Sequence, residues 1–162
     1  MTNTTSQAPA FLERTYDIDE QIGFRLRLAM QRHTDLFFKN MVFGLTQHQL
    51  AALARLLETG PCSQNHLGRL ISLDSASMVG VISRLKARGL ISVVKDKKDR
   101  RRALINLTAS GRTVVKKAIV RGIAANELTL APLSDRERRT LIGLLKKLAP
   151  IESDSRDNVP VS

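Results

Sequence analysis

The sequence predicts a mainly α-helical fold carrying one small β-hairpin. Three observations predict it. Apolar residues recur at three- and four-residue spacing in six separate segments. Most of these segments open on a Ser, Thr or Asp suited to capping a helix N-terminus. One stretch alone, residues 90–107, is β-branched and alternating on either side of a cationic run.

The first 15 residues are small and polar and are expected to be loosely ordered. From Ile18 to Asn40 the residues Ile22, Leu26, Ala29, His33 and Leu36 draw a stripe along one face of a long helix, and one member of that stripe is a histidine. Thr46 with Gln49 forms a capping-box pattern that opens a second helix, with Leu50, Leu53, Leu56 and Leu57 on its apolar side and Gly60-Pro61 ending it. Ser63 caps a short third helix to Ile71, with Leu67, Leu70 and Ile71 inward. After the brief link Ser72-Leu73, Asp74 or Ser75 caps a fourth, running to Arg88 and stopped by Gly89. Met78, Val79, Ile82 and Leu85 are expected to face its core. Leu90–Lys95 and Arg102–Leu107 are the two strands of the hairpin, with Ala103, Ile105 and Leu107 sharing a face. Thr108 caps the next helix, which Pro132 ends after Leu130. Ser134 and Glu137 form a second capping box before a last helix with Leu141, Ile142, Leu144, Leu145 and Leu148. Residues 151–162 are polar and acidic, a second loosely ordered end.

Composition narrows the function classes. Among 162 residues the net charge is +11, which points to a polyanionic partner. Aromatic content is 4% with no Trp, so stacking of single-stranded bases is a poor fit and duplex DNA a better one. No apolar run approaches the roughly 20 residues that cross a bilayer, and the N-terminus lacks the pattern of an export signal. A soluble, cytoplasmic protein with no membrane partner is expected. Cys62 is the sole cysteine, so no internal disulfide can form. Cys62 and His66 are four apart on one possible helix face, but with only His33 and His48 besides, no metal site and no cofactor is expected. No phosphate loop, nucleophile elbow or HExxH motif is present, so the chain is read as not an enzyme.

Two helices with a short link followed by a basic hairpin make a winged helix-turn-helix. The N-terminal part of the second helix of such a pair enters the major groove, which makes Ser75, Ser77, Met78, Val81 and Arg84 the candidate base readers, Met78 and Val81 being shared in part with the core. Ser63 and Gln64 are candidate phosphate contacts. At the hairpin tip, Lys97, Lys98, Arg100 and Arg102 lie near phosphates and Arg101 is the candidate for the minor groove. A segment needing only charge would omit acids. Asp99 cannot favourably face DNA, so its expected partner is Arg101, two places on, which it would hold in position.

The stretch from Leu45 to Gly111 resembles the MarR family of bacterial transcriptional regulators. The resemblance is carried by Leu45-Thr46, by RLKARGLI at the end of the second helix of the pair, by Asp96, Asp99, Arg100 and Arg101, and by Leu107-Thr108 with Gly111. It implies a homodimer whose first and last helices interlock, each winged domain reading half of a palindromic operator, and a wing aspartate that steadies the wing arginine. It also implies a division into a dimerisation and ligand helix at 16–44, a DNA-binding domain at 45–108 and dimerisation helices at 109–150.

Many members of that family release DNA when an aromatic carboxylate or phenol binds between the dimer helices and the winged domain. The candidate effector site here is His33, with Phe24, Arg25, Arg32, Phe37 and Phe38 near it in sequence, because cations fix a carboxylate while apolar rings bury an aromatic one. The segment YDIDEQIGFRLRLAMQRHTDLF is similar to the first helix of MarR-type repressors of nicotinate catabolism, which implies 6-hydroxynicotinate as effector, with His33 its contact. Two other readings stand beside a ligand-released repressor: a nonspecific basic architectural protein, and a regulator of the same family with a redox trigger. Relatives that sense peroxide carry a cysteine in the first helix, where this sequence has none.

Overall fold

The computed structural model describes residues 16–95 and 103–151. A 3-10 turn at Ile18–Glu20 leads into α1 (Ile22–Asn40), α2 (Gln47–Thr59), α3 (Gln64–Leu70), α4 (Ser75–Ala87), β1 (Ile91–Lys95), β2 (Ala103–Leu107), α5 (Ala109–Leu130) and α6 (Asp135–Leu148). The helix expected from Ile18 is therefore interrupted. Asp17 accepts from the Asp19 N–H at 2.9 Å and closes the tight turn, and Gln21 takes an extended conformation before α1 begins. Elsewhere the capping residues set the boundaries. In the capping box of α2, Thr46 N–H donates to Gln49 at 3.0 Å while Gln49 N–H donates to Thr46 at 3.3 Å. Ser134 and Glu137 do the same for α6. Ser63, Asp74 and Thr108 cap α3, α4 and α5.

β1 and β2 pair antiparallel, with Ile91 opposite Leu107 and Lys95 opposite Ala103. Ile105 pairs on its other side with Cys62, through two backbone hydrogen bonds of 2.8 and 3.2 Å, which ties the α2–α3 link to the hairpin. Alternation along β2 buries Ile105 and Leu107 and leaves Ala103 exposed at the outer end.

The core sits where α2, α3, α4, the hairpin and the start of α5 meet. Leu45, Leu53, Leu56, Leu67, Met78, Leu85 and Val115 are wholly buried there, each such aliphatic side chain stabilising the fold by about 1.5–3 kcal/mol. The first turn of α5 approaches the α4–β1 junction so closely that a β-carbon on Gly111 would lie 1.9 Å from the Leu90 carbonyl oxygen. The outer helices bury far less. α1 contributes only Phe37 to the buried set and α6 contributes nothing, although Leu144 and Leu148 are apolar and 57% and 63% exposed. Among the described residues no helix is long and apolar enough to cross a membrane.

Candidate functional site

The helix-turn-helix is built by α3, α4 and a four-residue link. Ser63 accepts from the His66 N–H and so starts α3, with Gln64 its first residue; both are half-buried at the helix entrance. Ser72 takes a positive φ of 53°, and the Leu73 N–H donates to the Gly68 carbonyl at 2.9 Å, folding the chain back towards α4. At the head of α4 the Asp74 carboxylate accepts from the Ser77 N–H at 2.9 Å. That bond, above all, holds the Asp74 acid below its ordinary range.

Of the expected base readers, Ser75, Ser77 and Arg84 are exposed on α4. Met78 and Val81 are not: they are 0% and 3% exposed and hold the helix on its core from beneath. The expectation for Val79 is also reversed, since it is 56% exposed. At 3.6 residues per turn, Met78, Val81, Ile82 and Leu85 form one face and Val79 lies off it, so Val81 takes the inward place that had been assigned to Val79. Arg84 folds back along α4, its guanidinium nitrogens 3.3 Å from where a Gly80 β-carbon would stand. The wing residues Lys97, Lys98, Asp99, Arg100, Arg101 and Arg102 lie outside the described residues. The paired ends Lys95 and Ala103 bracket that segment on the hairpin.

Arg88, at the C-cap of α4, donates to the main-chain carbonyl of Phe43 in the α1–α2 turn. Phe43 and Gly44 both have positive φ there, 61° and 57°. No sequence pattern pointed to this link, because it joins residues 45 apart through a carbonyl that any residue type supplies.

The effector candidates divide into two groups. His33 Nδ1 meets the Thr129 hydroxyl of α5 at 3.0 Å, and that hydroxyl donates to the Ala125 carbonyl at 2.7 Å. With its one proton committed, Thr129 must accept from His33, which puts the proton on Nδ1 and leaves Nε2 as an acceptor in the neutral ring. Arg32 donates to the Leu128 carbonyl at 3.3 Å, near the negative end of α5. Phe37 is buried with its ring centroid 6.3 Å from that of His33, and the exposed Phe38 stands edge-on to it at 5.7 Å. Phe24 and Arg25 lie roughly 12 Å further along α1, eight residues at 1.5 Å each. There Arg25 faces Glu20 at 3.8 Å, and the Phe24 ring carries the Arg27 guanidinium 5.0 Å from its centre. One single-ring acid cannot touch both groups within this chain. Sequence spacing had also missed Thr129, which is 96 residues from His33.

An open cleft of ≈ 600 Å³ lies at the α3–α4 turn, lined by residues including Gln64, Arg69, Asp74 and Ser75, and none of the effector candidates borders it. Cys62 is buried; desolvation pushes its thiol up, and a hydrogen bond with Thr59 offsets this only in part. It precedes α3 and pairs with β2, so it does not share a helix face with His66 as its spacing suggested. Among the described residues no group of three or more His, Cys, Asp and Glu could hold a metal ion.

Comparison with known proteins agrees with this architecture. Residues 45–103 match the MarR family. The chain is 36% identical over 156 residues to the HTH-type transcriptional repressor NicR of Pseudomonas putida, an alignment covering 95% of this chain and 98% of that one. A crystal structure of a probable transcriptional regulator from Pseudomonas aeruginosa superposes with a TM-score of 0.80 at 47% identity, covering 82% of this chain and 100% of that one. The structure of Bordetella bronchiseptica BpsR, described for the regulation of its DNA binding by 6-hydroxynicotinic acid, gives 0.79 at 36% identity, over 83% and 96% of the two chains. This chain belongs to the MarR family of winged helix-turn-helix transcriptional regulators, and DNA is what it binds.

Proposed function

We propose that the protein is a cytoplasmic homodimeric repressor, released from a palindromic operator by a small aromatic acid, with 6-hydroxynicotinate as the leading effector. The α1–α5 contact carries this reading. His33 is oriented by Thr129 so that Nε2 can accept from a ring hydroxyl, Arg32 stands one residue away with N–H donors beyond the one on Leu128, and Phe37 supplies an apolar wall. A planar acid with a hydroxyl across its ring matches those three groups. Similarity to BpsR across most of the chain supports the same effector class, and similarity to NicR supports repression.

In the dimer, α1 with the second half of α5 and all of α6 supply the apolar surface that a second subunit covers, and residues 45–108 read DNA. α4 lies in the major groove and the hairpin tip, with Arg101 foremost, in the minor groove. A redox trigger has less support, because the lone thiol is buried and its thiolate form disfavoured.

The test is a fluorescence anisotropy titration of an operator fragment and a random duplex of equal length, with and without 6-hydroxynicotinate. The operator is expected to bind at least a hundredfold more tightly than random duplex. The effector is expected to release it from the wild-type chain, and His33→Ala to raise the concentration needed by at least tenfold while leaving operator affinity unchanged. Equal affinity for the two duplexes would instead establish a nonspecific architectural role. An unaltered response in His33→Ala would remove His33 from the effector site.

A further inference from the structure

The outward face of α4 is built of small residues. Met78, Val81, Ile82 and Leu85 face the core, so rotation by 3.6 residues per turn puts Ala76, Gly80, Ser83 and Ala87 on the opposite side. A helix with such a face can sit deep in a groove. Beside the row stands Val79, the one large apolar side chain that α4 turns to solvent.

A single exposed valine normally has no meaning. This one stands on the second turn of the helix, one turn from Ser75 and one turn from Ser83. Arg84 and Lys86 follow on the same helix, with Arg88 at its C-cap, and supply charge complementary to phosphate. Across the small-residue row, Arg84 is held over Gly80. The groove-facing surface thus has a donor-rich side at Arg84 and an apolar side at Val79.

We propose that Val79 reads the 5-methyl group of a thymine in the major groove, a specificity that rests on α4 being the DNA-reading helix. The thymine methyl is the apolar feature by which the major groove distinguishes T·A from C·G, and apolar side chains recognise it by contact. Valine suits the task because in a helix its χ1 is confined almost wholly to one rotamer, so its methyl groups stand in a fixed place. Hydrogen-bonding side chains such as Ser75 and Ser77 cannot register a methyl group.

The test uses the full chain and an operator recovered by selection from random duplex. Each thymine is replaced in turn by deoxyuridine, which removes the methyl and leaves every hydrogen-bonding group in place. At one thymine in each half-site, uracil is expected to weaken the wild-type chain roughly fourfold, the value of one buried methyl. The same replacement should leave Val79→Ala unaffected, and that variant should bind the unmodified operator about as the wild-type chain binds the uracil one. If no thymine responds, or Val79→Ala shows the same uracil penalties as wild type, Val79 is not the reader while operator recognition stands. If selection enriches no sequence at all, the DNA-reading role of α4 falls with it.

Discussion

Gly111 and Asp74 are single residues that the fold depends on for opposite reasons. Gly111 matters for the atom it lacks. A β-carbon there would meet the Leu90 carbonyl oxygen at 1.9 Å, and that oxygen already accepts from the Thr108 N–H at 3.1 Å, so it is poorly placed to yield. Gly111→Ala is expected to cost roughly 3 kcal/mol, the upper part of the range for overpacking, seen as a lower urea midpoint with an unchanged slope. Asp74 matters for its charge. Its folded-state pKa is depressed by the Ser77 N–H, so its stabilising effect is complete above the unfolded value of about 3.9 and is lost as pH falls through the folded one. Asp74→Ala should therefore lower the Tm at pH 7 by a deficit that narrows as pH falls through the folded pKa of Asp74, whereas Asp74→Asn should keep a pH-independent cap. Thermal melts from pH 7 to pH 3 check both; an Ala deficit of unchanged size in acid would refute the contribution of the Asp74 charge.

At the scale of elements, local signals were the readable ones. Thr46, Ser63, Thr108 and Ser134 each marked a helix start because a capping side chain acts within three residues. Where two neighbours were both apolar, as along Met78 to Ile82, sequence could not decide which way the helix was turned, and Val79 and Val81 were exchanged. Contacts made across the fold left no local trace. Thr129 behind His33 and Phe43 under Arg88 are side-chain and main-chain partners that no spacing rule reaches. The wing lends itself to a test of its own. Asp99→Ala removes a negative charge and leaves the chain more cationic, yet is expected to weaken operator binding by about fivefold, since Asp99 is proposed to hold Arg101 in place. Tighter binding in an anisotropy titration would mean that the wing acts through charge alone.

The whole molecule divides into a winged core that buries its own apolar residues and outer helices that do not. Leu45, Leu67, Met78 and Val115 belong to the first; Ile22, Val120, Ile123, Leu144 and Leu148 are more than half exposed in the second. Covering those side chains is the proposed work of a second subunit. Leu144→Glu, in a helix that contributes nothing to the core, should shift the sedimenting species from dimer to monomer and lower operator affinity by more than tenfold, with the winged core still folded by circular dichroism. A dimer that survives the substitution would place the subunit contact elsewhere.

The Arg88 link to Phe43 bears on how such a regulator can diversify. Arg88 grips a carbonyl, and the Phe43 side chain is 45% exposed and takes no part in the grip. Substitutions at position 43 can therefore accumulate without loosening the joint between the α1–α2 turn and α4. The positive φ there even favours replacement by Gly or Asn. With effector preference on α1 and operator preference on α4, as proposed, a lineage can retune the two as separate heritable traits, provided Arg88 is kept.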